Sequence, residues 1–252
     1  ALMKAAANNS FWIELSLPSI NRIISERIDN SSLYIDDDIL LDISKLFSRI
    51  IDFRSEFTAT HSSGVAATAK YLGKLCNLSD RECLLLEVAG YLHDIGKLAI
   101  PKELLEKNGP LTPEERAIVE KHAYYTFRIL DQIKPLKAVN EIACLHHERI
   151  NGKGYPFGID GSKLSLSSRI MAVADVFTAI TESRPYRQGM DDGRAVTVLS
   201  EMAENGSLDS RITKLAIEHF GQLRNTCHIS QQKAAREYEQ YRLEIEGGLA
   251  LR

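Results

Sequence analysis

Histidine and aspartate residues are concentrated in one part of the chain, and these residue types suit metal-dependent chemistry. Five of the seven histidines lie between residues 61 and 147, namely His61, His93, His122, His146 and His147. Asp94 follows His93 directly, and Asp175 lies in a later apolar segment. Imidazole and carboxylate together are typical ligands of first-row metals such as iron, manganese, zinc and nickel. The sequence therefore predicts a metal site.

His93 and Asp94 end an apolar run, Cys83 to Leu92, whose pattern predicts a buried helix. Burying ionisable groups at the end of such a helix costs free energy unless they are paired or bind a metal. A single histidine such as His61 or His122 is more often a hydrogen-bonded residue than a ligand, so the prediction depends on the joint pattern. His219 and His228 lie outside that pattern and are interpreted as ordinary hydrogen-bonded residues.

The predicted ligand set is too large for one ion with an open position, but it suits two ions that share a bridging carboxylate. Adjacent residues on a helix diverge by about 100°, so we expect the pairs His93–Asp94 and His146–His147 each to face a common cluster. Two ions about 3.5–4 Å apart form a clamp for phosphoryl displacement. They would hold a bridging hydroxide as nucleophile, and their net positive charge favours an anionic substrate.

The elements that must position these residues are all predicted to be helices. Apolar spacing predicts helices at 11–28, after Asp36–Asp38, at 137–147, at 168–183, at about 192–204, at 211–220 and at 229–246. Two capping boxes, Ser79 with Glu82 and Thr112 with Glu115, mark further helix starts. The second helix has the predicted apolar stripe Ile39, Ile43, Leu46, Ile50 and Phe53. No strand pair is evident, so the predicted class is all-α.

The stretch from Arg149 to Ser167 is rich in glycine and irregular, and a loop of this length in a compact domain is usually functional.

The bulk composition is that of a soluble globular protein, with 44% hydrophobic residues and 26% charged residues. The net charge of −3 without a basic block argues against duplex nucleic acid as a partner. The four scattered cysteines are interpreted as reduced thiols. Without a signal peptide or membrane-spanning run, the expected location is the cytoplasm.

Six motifs occur in an order that resembles one known family. They are His93-Asp94-Ile-Gly-Lys97, Glu-Lys-His122, His146-His147-Glu148, Asn151-Gly-Lys-Gly-Tyr-Pro156, Ala174-Asp175-Val-Phe and Arg184-Pro-Tyr-Arg187. Across about residues 57–203 the chain resembles the HD-GYP phosphodiesterases, a branch of the HD metal-dependent phosphohydrolase superfamily. The resemblance implies an HD-type helical bundle that hydrolyses cyclic di-GMP to linear pGpG, and further to GMP in some members.

The resemblance also implies roles for individual residues. One ion would lie among His61, His93, Asp94 and Asp175, and Asp94 would bridge to a second ion held by His122, His146 and His147. Lys97 would contact the scissile phosphate, and Tyr155, Arg184 and Arg187 would contact the ligand. Iron or manganese is the expected metal, with zinc or nickel as alternatives. The loop around Gly154-Tyr155-Pro156 is implicated in contacts with GGDEF-domain proteins.

Non-catalytic interpretations stay open for several of these residues. Lys97 is also compatible with a surface lysine, Tyr155 with loop packing, and Arg184 and Arg187 with capping of the Asp175 helix. Phe57 stands where some family members have a glutamate ligand for a third metal, so two metals are expected. Asn151 replaces a frequent aspartate, and we expect it to retain a role in ordering the loop.

The expected organisation is an N-terminal helical segment at 1–53, leading from an upstream region, a catalytic domain at 54–227 and a C-terminal helical tail at 228–252. Two other functions stay open. The first is hydrolysis of cyclic GMP-AMP, which differs from cyclic di-GMP only in a base. The second is a non-catalytic receptor for cyclic dinucleotides, which would have no need of a complete ligand set. The oligomeric state is not predicted.

Overall fold

The computed structural model describes residues 36–54, 60–107, 109–183 and 188–249. In these ranges the chain forms helices and no strand, which confirms the all-α class. The helices are α1 (Asp37–Arg54), α2 (His61–Leu75), α3 (Asp80–Leu92), α4 (Lys102–Leu105), α5 (Pro113–Leu130), α6 (Lys137–Cys144), α7 (Leu166–Thr181), α8 (Asp192–Glu204), α9 (Ser210–Glu218) and α10 (Phe220–Leu249). The 3₁₀ turns Ile95–Ala99 and Lys134–Leu136 follow α3 and precede α6.

Both predicted capping boxes are present and fix where two helices begin. The Ser79 hydroxyl accepts the Glu82 N–H at 3.3 Å, and the Glu82 carboxylate accepts the Ser79 N–H at 2.9 Å. Thr112 and Glu115 make the same reciprocal pair at 3.3 and 2.8 Å. Each pair satisfies two N–H groups that lack partners within the helix. The start of α3 is thereby fixed, and with it the position of His93 directly after its thirteen residues.

Helix α7 lies at the centre of the bundle. All of its residues from Ile170 to Thr178 are buried, and a helix buried on every side belongs in the middle of a core. Helices α2 and α3 pack against each other and against α7. At the α2–α3 contact, a Cβ added to Gly90 would lie 2.5 Å from the Cα of Ala66, so the two backbones approach as closely as small residues permit.

Helix α1 confirms the second predicted helix, but three residues of its predicted apolar stripe are exposed. Ile39, Ile43 and Leu46 are 44%, 38% and 41% exposed, whereas Ile50 is buried as predicted and the Phe53 side chain lies outside the described residues. The face that packs on the core contains Leu40, Leu41, Phe47 and Ile51 together with the buried Ser44 and Ser48. Ser44 donates to the carbonyl of Leu40 at 2.7 Å, so its hydroxyl is buried at little cost.

Three other expectations concern segment boundaries. The helix predicted at 137–147 ends at Cys144. The segment predicted at 229–246 is part of one continuous helix, α10, of 30 residues. The helix predicted at 11–28 lies outside the described residues. Residues 37–235 form one compact unit, and the domain boundaries near 53 and 227 stay predictions. Among the helices that the structure describes, none combines the length and apolar character of a membrane span.

The contact between Gly90 and Ala66 gives a test of the packing. Gly90→Ala places a methyl group against the backbone of α2, so we expect the free energy of unfolding to fall by about 1–3 kcal/mol. Gly221→Ala is the matched control, because a Cβ there meets nothing within 4 Å. A helical Gly→Ala change at such a place should raise stability by about 0.5–1 kcal/mol. Urea unfolding of both variants measures the difference, and equal stabilities would contradict the close approach.

Candidate metal centre

Five helices contribute to the cluster of histidines and aspartates. His61 is the first residue of α2, and His122 and Asp175 lie within α5 and α7. His93 and Asp94 follow the end of α3, and His146 and His147 follow the end of α6. The two adjacent pairs therefore lie in the turns that directly follow α3 and α6, and the backbone of His93 still has helical dihedral angles. Both turns direct their pair to one cluster.

The turn that contains Asp94 is fixed to α5 by Thr126. The Thr126 hydroxyl accepts the N–H of Gly96 at 3.1 Å and donates to the carbonyl of His93 at 2.8 Å. A Cβ at Gly96 would lie 1.9 Å from the carbonyl oxygen of His122, so only glycine permits this approach. Asp94 and His122 are brought together as a consequence.

The cluster consists of two groups of possible ligands. In the first, one ligand atom from each of His61, His93 and Asp94 lies within 4.8 Å of the others. Asp175 joins this group, because its Oδ1 lies 3.2 Å from Nε2 of His61 and 4.0 Å from Nε2 of His93. The second group contains His122, His146 and His147 within the same 4.8 Å limit.

Asp94 lies between the two groups. Its Oδ2 is 3.2 Å from Nε2 of His93, and its Oδ1 is 3.3 Å from Nε2 of His122. The two oxygens of one carboxylate thus face different groups. Asp175 also faces both, since its Oδ2 lies 3.7 Å from Nδ1 of His147.

Backbone carbonyls determine which nitrogen faces the cluster in three of the histidines. Nδ1 of His93, His122 and His146 lies 2.8, 2.7 and 2.7 Å from the carbonyl oxygens of the residues three positions earlier, Gly90, Val119 and Ala143. A carbonyl only accepts, so each Nδ1 donates and, in the neutral ring, each Nε2 presents a lone pair.

The Nε2 atoms of His122 and His146 face each other at 3.4 Å. Two lone pairs at this separation repel unless a cation lies between them. Nitrogen and oxygen ligands bind a divalent first-row metal ion at about 2.0–2.2 Å, so two ligand atoms of the same ion lie roughly 3–3.5 Å apart. The residues present therefore fit a metal ion.

The charge states of the buried groups also suit a metal. Burial lowers the pKa of His146 to about 3, and it lowers the pKa of His147 and His122 as well. Burial alone would raise the pKa of Asp94, but the neighbouring His93 and Lys97 hold it well below its usual range. The pKa of Asp175 is low for a comparable reason, since the hydrogen bond to His61 and the neighbouring histidines together outweigh burial. Neutral imidazoles and ionised carboxylates are the forms that bind metals.

His61 is the exception among these histidines. Burial alone would lower its pKa, but the charge of Glu182 and the hydrogen bond to Asp175 raise it to about 10. Its Nδ1 lies 3.0 Å from Oε2 of Glu182. Glu182 is not among the residues predicted from the sequence, because nothing in the local sequence links a residue after α7 to one 121 positions earlier.

Lys97 and Tyr155 lie at the edge of the cluster. The Lys97 ammonium is 2.5 Å from Oδ2 of Asp94. The Lys97 side chain is 21% exposed, so it lies between the buried carboxylate and solvent. The Tyr155 ring lies 4.6 Å from the His147 ring, centroid to centroid. Burial raises the pKa of Tyr155, which keeps its hydroxyl neutral. Arg184, Arg187 and Phe57 lie outside the described residues.

The loop that contains Tyr155 is attached to Glu148, a second residue for which the sequence analysis predicted no role. Its buried carboxylate accepts the backbone N–H groups of Phe157, Gly158 and Ile159 at 2.7, 3.2 and 3.1 Å. Asn151 orders the same loop, as expected, by accepting the N–H of Lys153 at 3.1 Å and donating to the carbonyl of Asn205 at 3.0 Å. Both contacts hold the loop beside the cluster.

Replacement of Glu148 tests this attachment. Glu148→Gln loses the charge and one of the two acceptor oxygens, and a hydrogen bond to a charged group contributes about 1.5–3 kcal/mol. We therefore expect hydrogen exchange at the amides of residues 157–159 to accelerate by about tenfold or more. Glu141→Gln, which changes an exposed glutamate on α6, is the control. Unchanged exchange in the Glu148 variant would contradict the role.

Comparison with known proteins agrees with the fold and the motifs. A family model described as HD domain matches residues 45–212. The chain is 38% identical over 183 residues to 3'3'-cGAMP-specific phosphodiesterase 3 of Vibrio cholerae, and the aligned region covers 71% of this chain and 40% of that protein. It is 38% identical over 167 residues to a cyclic di-GMP phosphodiesterase of Pseudomonas aeruginosa, and that aligned region covers 66% of this chain and 40% of the relative. The chain thus spans about 40% of the length of these curated relatives.

A solved structure has the same fold. The HD-GYP-type protein Bd1817 of Bdellovibrio bacteriovorus superposes with a TM-score of 0.54 at 18% identity, over 81% of this chain and 78% of that chain. At this identity the similarity concerns the fold alone. The family match over residues 45–212 concerns the sequence itself, and it includes every histidine and aspartate of the cluster. The chain therefore belongs to the HD domain family, and its resemblance to the HD-GYP branch is confirmed.

Proposed function

We propose that the chain is a metal-dependent phosphodiesterase that hydrolyses cyclic di-GMP to linear pGpG, with continued hydrolysis to GMP left open. The observation that carries the proposal is the position of Asp94, whose two oxygens lie 3.2 and 3.3 Å from histidines of two separate groups. A carboxylate in this position suits two neighbouring cations. A pair of cations is the arrangement that supports displacement at a phosphodiester.

In this proposal His61, His93, Asp94 and Asp175 hold one divalent ion, and Asp94, His122, His146 and His147 hold the second. Iron or manganese suits the mixture of imidazole and carboxylate, and the buried Cys83, Cys144 and Cys227 belong to neither group. When bound, the ions would activate water as a nucleophile and neutralise phosphate charge. His122, His146 and His147 supply neutral imidazoles for this purpose, and Asp94 and Asp175 supply ionised carboxylates.

The chain's own residues would bind and orient the dinucleotide. Lys97 places an ammonium group beside Asp94, where it would stabilise the charge that develops on the scissile phosphate. The neutral Tyr155 hydroxyl and ring would contact the ligand at the mouth of the cluster. Arg184 and Arg187, a few residues after α7, would bind phosphate or a guanine edge through their planar guanidinium groups. The loop around Gly154-Tyr155-Pro156 would also be the contact for GGDEF-domain proteins.

Cyclic GMP-AMP is the second candidate substrate. The relative that is 38% identical over 183 residues is named as a phosphodiesterase specific for this dinucleotide. Both molecules have the same two phosphodiester bonds, so the metal centre treats them alike, and the choice depends on contacts to the bases. Initial rates with each substrate, measured on one manganese-loaded preparation, distinguish the two. Tight binding of both without turnover would instead indicate a receptor.

Asp94 and Lys97 should affect the reaction in different ways. Asp94→Ala removes the carboxylate between the groups, so we expect loss of turnover together with loss of metal. Lys97→Ala removes only a peripheral cation, so metal content should stay near that of the wild type while kcat falls about 10²–10³-fold. Metal analysis and initial rates on the same samples measure both effects.

The exposed residues Asp42 and Lys102 provide the controls, because each makes a surface ion pair with a residue three or four positions away. Asp42→Ala and Lys102→Ala should leave both metal content and rate unchanged. Near wild-type turnover in Asp94→Ala would contradict the mechanism. Loss of metal in Lys97→Ala would assign Lys97 to the metal centre rather than to the substrate.

A further inference from the structure

His61 is oriented by a different kind of group from His93, His122 and His146. His93, His122 and His146 donate from Nδ1 to backbone carbonyls within their own helix or turn. Nδ1 of His61 instead lies 3.0 Å from the carboxylate of Glu182, while its Nε2 lies 3.2 Å from Asp175. An anionic acceptor therefore replaces the neutral carbonyl at this one ring.

Glu182 is buried and directly follows α7 as its C-cap residue, seven residues after Asp175. The two carboxylates hold opposite nitrogens of the His61 ring. Asp175 contacts the nitrogen that faces the cluster, and Glu182 contacts the nitrogen that faces away from it. Glu182 is therefore behind the ring, where it orients a ligand and does not itself reach the ion.

Helix α10 holds Glu182 in place. The amide of Gln231 donates to Oε2 of Glu182 at 3.1 Å, the same oxygen that faces His61. One residue earlier, Ser230 donates to the carbonyl of Ser63 in the first turn of α2 at 2.9 Å. A Cβ at Gly64 would lie 3.0 Å from the Gln231 amide nitrogen, so α2 and α10 are in close contact. A chain of hydrogen bonds thus runs from α10 through Glu182 to His61.

We propose that Glu182 is a positioning residue that holds a proton on Nδ1 of His61, so that Nε2, once its own proton is displaced, would face the ion shared with His93, Asp94 and Asp175. This inference rests on the proposed metal centre. A carboxylate behind a ligating histidine fixes the ring and strengthens it as a donor, and loss of such a group lowers metal affinity about 10–100-fold. Only the half of the centre that contains His61 depends on Glu182.

Titration of the metal-stripped 252-residue chain with Mn²⁺ tests the proposal. For Glu182→Ala we expect one class of site to bind about 10–100-fold more weakly while the other class is unchanged. Glu182→Gln retains an oxygen that accepts from Nδ1, so its loss should be smaller than that of the alanine variant. Gln231→Ala, which removes only the outer bond, should have the smallest effect.

Two controls separate positioning from a general loss of structure. Glu87→Gln changes a partly buried glutamate that is paired with Lys70 on α2, at 2.6 Å, and should leave Mn²⁺ binding unchanged. Unfolding of each metal-free variant is measured alongside, and a Glu182→Ala chain that fails to fold leaves Glu182→Gln as the test. If the wild type, Glu182→Gln and Glu182→Ala all bind Mn²⁺ equally well, the proposal is overturned. It is also overturned if Glu182→Ala weakens both classes of metal site equally. A wild-type chain that binds no Mn²⁺ would contradict the metal centre itself.

Discussion

The rest of the structure depends on one electrostatic constraint: two aspartates are buried in a helical bundle, and five histidines offset the cost of burying their charges. Asp94 and Asp175 are 3% and 7% exposed, a position that is costly for a carboxylate without partners. Each has imidazole nitrogens within about 4 Å, and Asp94 also has the Lys97 ammonium. The same contacts that make this burial tolerable arrange the side chains as the proposed ligands. The stability of the fold and the proposed metal binding therefore require the same geometry.

The bundle achieves this geometry at its helix ends. A helix interior presents successive residues about 100° apart, whereas the turns after α3 and α6 direct neighbouring residues to one place. Such turns need close contacts, and small side chains provide them: Gly90 against Ala66, and Gly96 against the His122 carbonyl. Thr126 then connects the turn that contains Asp94 to α5. The central helix α7 supplies Asp175 from the core side, so ligands converge from several directions on a compact volume.

Capping residues and the ordered motifs were enough to predict the all-α class, the starts of α3 and α5, and the set of histidines and aspartates that come together. The side of α1 that faces the core was not predictable from apolar spacing, because its buried face includes Ser44 and Ser48. Glu148 and Glu182 were missed for another reason. Each acts on groups that only the folded chain brings near, three loop amides for Glu148 and a ring 121 positions away for Glu182. Sequence patterns identify ligands more readily than the groups that orient them.

The most direct test of the central claim is the metal content of anaerobically purified protein, with cyclic di-GMP turnover followed in the same sample. The arrangement of Asp94 between two groups of histidines predicts two ions per chain, about 3.5–4 Å apart in a crystal structure of that sample. It also predicts that removal of the metal abolishes turnover and that its return restores it. A single ion, or turnover that persists without metal, would contradict the account. So would a chain that binds no stoichiometric metal after reconstitution.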